Sequence, residues 1–497
     1  MVDPAYRTVI GLEVHVQLLT QTKLFCGCST QFGLPPNSAT CPICIGMPGV
    51  LPVMNRQAFE LALKAALALN CEIASFTKWD RKNYYYPDLP KNYQISQYDL
   101  PFSRDGWLEI ETAHGTKHIG IIRVHLEEDA GKMLHDEQGG GRESLVDLNR
   151  AGTPLLEIVS QPDLASPEEA KAYLEEIRLL LRELGVSDCE MQEGSLRCDA
   201  NVNIHIPSGA SGGSNAPGFA ATPIVEVKNL NSFRAVERAM KYEAQRQFEE
   251  FQKTGKKLGE MAKATAGWDE ARGVTVVQRR KEEASDYRYF PEPDLAPVEV
   301  NAAWLERVRT SLGELPAAQR HRLQEQYHLS TYDAGVITSQ GRAFTAYFEE
   351  VARLAGDAAE AKNWMTNDVL QTLNERKTDI GSFPLSAPAL GELVKEVKNT
   401  GLNKQRAREV YAEMLASGSS AKEAVDKLGF KVMADESQLL EIVRRAVAAN
   451  PKAVADFKNG KTKAADAIKG AVMRETKGLA KMETVQQLVM AELQKQE

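Results

Sequence analysis

The chain is expected to be an α+β protein, with an antiparallel-sheet cradle, then an all-helical domain and a small helical tail. Three observations carry this expectation. Several short runs within the first 295 residues alternate apolar and polar side chains, the period of strands with one wet face. Helical stripes interrupt those runs at irregular intervals, which argues against a repeating βαβ unit. After FPEPDLAP (290–297), with three prolines in eight residues, the periodicity turns almost wholly helical. The expected domains are therefore 1–295, 296–405 and 406–497.

The elements follow in chain order. In 10–18, Ile10, Leu12, Val14, Val16 and Leu18 fall on one face, and Glu13, His15 and Gln17 on the other. A second strand at 121–126 runs into the acids Glu127, Glu128 and Asp129. A helix opens at Ser166-Pro167-Glu168-Glu169, with a Ser cap, Pro in the first turn and Glu three residues on. Ala170, Leu174, Ile177, Leu181 and Leu184 form its stripe, and Gly185 closes it. In 196–206 the even-numbered residues are apolar or small, opposite Arg197, Asp199, Asn201, Asn203 and His205. SGASGGSNAPG (208–218) has the composition of a flexible hairpin loop. A strand at 223–228 sets Glu226 and Lys228 opposite Val225 and Val227, and a helix over 232–254 ends at Gly255. Helices are expected near 302–313, 316–327, 341–355, 358–375 and 387–400, and then shorter ones with stops at Gly418, Gly429, Gly460, Gly470 and Gly478.

Composition narrows the class. At 497 residues the chain is too long for one core, and 43% apolar with 26% charged residues is globular usage. No run of 18 apolar residues offers a membrane span, and MVDPAYRTVIGLEVH has no secretory pattern. Seven cysteines, an odd number, point to a reducing compartment and a cytoplasmic protein. The net charge of −8 is unevenly spread: residues 401–497 hold 17 basic against 13 acidic side chains, and 444–481 hold ten against three. A basic end suits a polyanion-binding appendage, although a solvated helical face rich in lysine has the same composition.

Three groups of residues could carry chemistry. Cys26, Cys28, Cys41 and Cys44 are spaced C-x-C-x12-C-x2-C, and four thiolates closing a tetrahedral shell make a structural zinc site with no open position for catalysis. The polar strand faces come next. If Glu13 and His15 share a sheet with Arg197, Asp199, Asn201 and Asn203, an oxygen-rich wall with one imidazole results. That set suits Mg²⁺ holding a nucleotide phosphate, whereas taken singly each residue fits a solvated sheet face. The third group is Arg81-Lys82-Asn83-Tyr84-Tyr85-Tyr86-Pro87-Asp88, which fits neither an amphipathic strand nor a helix and reads as a binding loop or a structured surface loop. No Walker-type phosphate loop, G-x-G-x-x-G fingerprint, kinase signature, G-x-S-x-G elbow or H-E-x-x-H motif is present, and the triplet 139–141 reads as a turn.

Taken together, GLEVHVQL (11–18), DRKNYYYPDLPKNYQISQYD (80–99), HLEEDAGK (125–132), SLVDLNRAGTPLLEIVSQPD (144–163), EGSLRCDANVNI (193–204), EVKNLNSF (226–233) and DYRYFPEPD (286–294) resemble one family. It is that of the B subunits of the tRNA-dependent amidotransferases that correct misacylated Glu-tRNA(Gln) and Asp-tRNA(Asn). The tail 450–478 is similar as well, so the resemblance spans nearly the whole chain in order. It implies a heterotrimer with an amidase A subunit and a small C subunit. The B subunit would use ATP and Mg²⁺ to phosphorylate the misacylated side-chain carboxylate, and channelled ammonia would displace the phosphate. The alternative within the same complex is a tRNA-binding scaffold without chemistry of its own.

Carried over residue by residue, the resemblance implies that Glu13, His15, Glu128 and Asp199 hold Mg²⁺, with Lys82 near Glu128 where ammonia arrives. Arg197, Asn201 and Lys228 are the expected nucleotide contacts. The residues alone leave Glu128 open. An unbroken strand would turn Glu127 to the face of His125 and Arg123, and Glu128 to that of Val124 and Leu126; a break or bulge near Leu126 would free Glu128, the family's choice. The resemblance gives the basic stretch a task, with Arg444, Arg445, Lys452, Lys458, Lys461, Lys463, Arg474 and Lys477 meeting tRNA phosphates in a salt-sensitive manner. The four-cysteine site occurs in only some members and is implied to be a fold staple.

Overall fold

The structure, a computed structural model, describes residues 5–135, 144–207, 218–261, 263–280, 287–430, 436–458, 462–476, 480 and 482–495. The expected loop at 208–218 falls outside them except for Gly218, as do the triplet 139–141, Gly460, Gly478, Lys461 and Lys477. The chain divides into two units, Met1–Leu315 and Pro316–Glu497.

In the first unit, ten strands frame the site: β1 (Arg7–Gln17), β2 (Asp80–Asn83), β3 (Tyr93–Ser96), β4 (Ser103–Thr112), β5 (Gly115–Glu128), β6 (Pro154–Ser160), β7 (Leu196–Pro207), β8 (Val225–Lys228), β9 (Ala264–Asp269) and β10 (Val274–Arg280). The main sheet runs β10-β9-β8-β7-β1-β6-β5-β4 and ends at Glu72–Ile73, with Phe219–Ala221 added beside β7. β2 and β3 form a separate small sheet with Phe290–Pro291. The large sheet is antiparallel at every pair except β8 and β9, which are parallel and joined through a helix as such pairs require.

Alternation explains how this sheet finds its core. Ile10, Leu12, Val14 and Val16 are completely buried, and Val124, Leu126, Leu156, Ile158, Ala200 and Val202 join them on the same face. Three helices cover that face: α1 (Arg56–Ala68), α2 (Pro167–Glu183) and α3 (Phe233–Thr254). Their ends are the ones the sequence marks. Ser166 Oγ accepts the Glu169 N–H at 3.1 Å, and Ser232 Oγ accepts the Ala235 N–H at 3.0 Å. Gly255 closes α3 at φ 64°, a left-handed conformation glycine adopts without steric cost.

The second unit is helical, and both expected domain boundaries shift. Val298, Val300, Val308 and Leu312 are buried in the core of the first unit, so residue 295 is not an edge of it. Ala407, Val410, Tyr411, Met414 and Phe430 share a core with Leu323, Phe344 and Leu390, so the cut at 405 runs through packed helices. A separate small core gathers Leu439, Val443, Ile468, Val472, Val485 and Val489. Three local readings also change. Thr331–Ser339 forms a helix that the sequence did not announce, and a π-helical stretch, Trp364–Val369, interrupts the helix expected over 358–375. Gly470 lies inside the helix Ala465–Glu475 instead of ending one.

Candidate active site

Burying the even-numbered residues of β1 leaves Glu13, His15 and Gln17 on the opposite face, where the register supplies their neighbours. His15 sits between Arg197 of β7 and Glu157 of β6, and Glu13 between Asp199 and Val159. One strand out, Glu157 stands opposite His125, and Leu155 opposite Glu127. On the other side, Asn201 stands opposite Glu226 of β8, the strand that also carries Lys228. Five neighbouring strands thus make a polar floor beneath a cavity of about 1080 Å³, lined among others by His15, Lys82, Glu127, Asp129, Arg197 and Asp199.

Acids and bases interleave on this floor, with Glu13 facing Asp199 and His15 facing Arg197 across β1 and β7. His15 Nε2 lies 3.5 Å from Glu157 and 3.9 Å from Glu127, and His125 Nε2 is 3.3 Å from Glu157. Burial disfavours charge on His15, yet Glu157 and Glu127 outweigh it and raise its pKa above the ordinary value. Burial likewise opposes ionisation of Glu157, but His125 and His15 hold its carboxyl well below the usual range. Lys228 Nζ meets Asp199 at 2.5 Å, and Asn201 Nδ2 donates to Glu13 at 2.8 Å. Lys82 Nζ lies over the rings of Tyr287 and Tyr84, 5.3 and 5.8 Å from their centroids. Burial works against its charge too, and Glu127, Tyr289 and Glu157 more than compensate, so its pKa rises.

Asp129 anchors the cavity wall. It is buried, pairs with Arg197 at 2.8 Å and Arg150 at 3.5 Å, and accepts from Gln17 Nε2 at 2.8 Å. Burial raises its pKa, but Arg197 and Arg150 prevail and the net shift is downward. Asp129→Asn would leave two guanidinium groups without their shared counter-charge. It is expected to destabilise this unit by about 3 kcal/mol, read as a lowered Tm.

Most of the expected residues converge on this floor, with one correction. Glu13, His15, Asp199, Arg197, Asn201 and Lys228 lie on it, and Lys82 lines the cavity. Glu128 does not. β5 continues without a break through Glu128, so Glu127 takes the cavity face and Glu128 the opposite one. The Glu128 carboxylate accepts the Ile95 N–H at 2.8 Å and forms an ion pair with Lys91, away from His15. Lys82 accordingly shares its cavity with Glu127 and not with Glu128. The tyrosine segment is a strand at its start, with Lys82 paired to Gln94; Tyr84 is half-buried, and Tyr85 and Tyr86 are exposed.

Two clusters among the described residues can hold a metal. His15, Glu127 and Glu157 offer ligand atoms within 4.8 Å of one another, and two carboxylates with one imidazole suit a hard divalent ion that keeps further positions for water or phosphate. Asn201 Oδ1, beside Glu13 and Asp199, is buried without a hydrogen-bond partner and is a further unused oxygen donor. The four sulfurs of Cys26, Cys28, Cys41 and Cys44 also lie within 4.8 Å of one another. The Cys26 thiol, hydrogen-bonded to Cys44, helps depress the Cys44 pKa to about 4, with the Lys23 charge adding to the effect. Lys23 is completely buried, 3.6 Å from Cys44 Sγ and donating to the Ala39 carbonyl at 2.7 Å.

Sequence reasoning missed Glu157, His125 and Asp129 as members of the site. A signal existed for Glu157. It is the one charged residue of β6 (PLLEIVS), and a lone acid in a buried strand must find a partner. His125 and Glu127 stand two apart on β5, the same spacing that drew attention to Glu13 and His15.

A sheet-floored polar cavity with an ion-compatible acid–imidazole group has the makeup of an enzyme's binding site. The chain belongs to the GatB/GatE amidotransferase family: the GatB/GatE catalytic domain matches residues 8–306, and the GatB domain matches 346–493. It is similar to the B subunit of the aspartyl/glutamyl-tRNA(Asn/Gln) amidotransferase of Rhodopirellula baltica, 51% identical over 97% of this chain and 96% of that one. The protein of the same name from Moorella thermoacetica is 50% identical over 98% of this chain and its own full length. That from Carboxydothermus hydrogenoformans is 48% identical over 99% of both chains.

Proposed function

We propose that this chain is the activating subunit of a glutamine-dependent amidotransferase that converts misacylated Glu-tRNA(Gln), Asp-tRNA(Asn) or both to the amidated forms. The observation that carries the reading is the polar floor, where His15 and Glu127 line one cavity with Arg197, Lys228 and Lys82, and Glu157 completes their cluster. A carboxylate is a poor electrophile, and phosphorylation by ATP converts it into an acyl phosphate from which ammonia can displace phosphate. Such chemistry needs positioned cations around the phosphoryl group and little covalent participation from the protein. Arg197 and Lys228 would bind phosphate oxygens, with Asp129 and Asp199 fixing their positions, and Asn201 would orient nucleotide beside Glu13. Lys82 would present its ammonium to the developing charge on the substrate carboxyl.

His15, Glu127 and Glu157 would hold Mg²⁺, with Glu13 and Asp199 one register step away. The ion would neutralise phosphate charge. The cysteine cluster would hold a structural zinc ion. An A subunit would supply ammonia, and a C subunit would tie A to this chain in the cytoplasm. In the tail, Lys452, Lys463 and Arg474 are exposed; Arg444 and Arg445, also exposed, pair with Glu492 and Glu475 at 3.2 and 2.7 Å. Exposed pairs are weak enough to yield to tRNA phosphates, so tRNA affinity should fall steeply with salt.

The test is phosphate release from ATP by the reconstituted complex, with and without misacylated tRNA. Release that requires the tRNA and accompanies amide formation supports activation in this chain. ATP turnover that ignores Asp199→Ala and Glu13→Ala would instead leave this chain a scaffold for tRNA.

Among the described residues no helix is long and apolar enough to cross a membrane.

A further inference from the structure

The segment joining the two cysteine pairs does more than close a metal loop. Thr30, Gln31, Phe32, Gly33 and Leu34 form part of the wall of the same cavity that holds His15 and Glu127. Within that lip Phe32 is 69% exposed, and among the described residues no other ring packs against it. Its backbone is tied down on both sides. Thr30 hydrogen-bonds the Thr20 carbonyl through its hydroxyl. Asn149 Nδ2 donates to the Pro35 carbonyl at 2.7 Å, the Asn37 N–H donates to Asp147 at 3.1 Å, and Asn37 Oδ1 accepts the Leu148 N–H at 2.8 Å. Asn149 Oδ1 accepts from the Ala39 N–H at 2.8 Å, just before the second cysteine pair.

A large aromatic ring left mostly in water at the rim of a polar cavity contributes little to its own chain's core. It is pre-organised for a flat partner that arrives with the substrate, and a nucleobase is such a partner because every base presents a π face. We propose that Phe32 is the stacking platform for a nucleobase whose phosphates reach into the cavity. This rests on the activating role proposed above, under which two nucleobases come near this site: the adenine of ATP and the terminal base of the tRNA. A stacked base at the lip leaves the polar floor to the phosphates and the carboxyl group. The ring acts as a positioning residue, because it touches neither the transferred phosphoryl group nor the amidated carbon.

The experiment compares steady-state amidation by the reconstituted complex carrying wild-type chain, Phe32→Ala, Phe32→Leu and Phe32→Trp, with ATP and misacylated tRNA varied separately. Phe32→Ala is expected to raise one of the two KM values about tenfold with kcat within twofold, Phe32→Leu to behave like Phe32→Ala, and Phe32→Trp to restore the wild-type value. A rise in KM for ATP assigns the base to the nucleotide, and a rise in KM for tRNA assigns it to the acceptor end. Unchanged KM values in Phe32→Ala, or full activity in Phe32→Leu, overturn the proposal, since a merely apolar or structural contact would be served by leucine. Wild-type complex lacking ATP-dependent amidation would instead remove the activating role itself. Because Phe32 is exposed, its replacement should leave Tm within about 1 °C of wild type.

Discussion

Glu127→Gln is expected to lower ATP-dependent phosphate release by the reconstituted complex at least about 100-fold, out of proportion to any fall in Tm. The substitution keeps the shape of the side chain and removes one of the two carboxylates that face His15 in the ion-compatible cluster. Glu128→Gln should show the opposite balance. Glu128 is buried, and its ion-pair partner Lys91 is only 6% exposed, so neutralising one partner leaves the other charge in a low-dielectric site. The expected cost is about 3 kcal/mol of stability, read as a lower Tm, with activity reduced mainly where the unit no longer holds its fold. Glutaminase activity of the amidase partner serves as the control for assembly. If Glu127→Gln retains full phosphate release while Glu128→Gln abolishes it at unchanged Tm, the ligand is Glu128 and the cavity face is wrongly assigned.

The contrast between these neighbours shows what local sequence can and cannot reveal. Period-two alternation was enough to find β1 and β7 and to state which of their side chains share a face, because alternation depends on one strand at a time. The choice between Glu127 and Glu128 depended on whether one strand continues for two more residues, and only the ladder with β6 settles that. Glu157 and His125 were harder still. They enter the site because β6 lies between β1 and β5, a pairing across more than a hundred residues that no local pattern encodes. The cysteine cluster, by contrast, was legible because its four members lie within 19 residues of one another and metal geometry restricts their spacing. The domain edges moved for a packing reason: 298–312 has the look of a helical region but covers the first core, and the helices after 405 complete the second.

Removing the metal proposed for the cysteine cluster is expected to reach further than a surface staple would allow. The segment carrying the four cysteines packs against the Lys91–Glu128 pair. A Cβ on Gly46, whose φ is +72°, would collide with Lys91 Cγ, and a Cβ on Gly152 would touch both Cys44 and Glu128. Lys23, completely buried, has the Cys44 sulfur and the carbonyls of Ala39 and Leu148 as its hydrogen-bond partners. Four thiolates around a divalent ion carry a net charge of about −2, which Lys23 partly offsets; without metal the buried lysine keeps the Cys44 thiolate as its partner, but the ion that holds the four sulfurs together is gone. Chelation under reducing conditions should therefore lower Tm by at least about 5 °C, and Cys44→Ser should do the same without chelator. Lys23→Met should weaken metal retention about 10-fold, as loss of a supporting group around a metal site does. Cobalt substitution gives the independent readout, since tetrahedral thiolate coordination has a characteristic visible absorption. With the lip at 30–34 tied between the two cysteine pairs, the apo protein should also show a raised KM for the ligand that Phe32 contacts. An apo complex with unchanged Tm and unchanged KM would reduce the four cysteines to free thiols with no part in shaping the cavity.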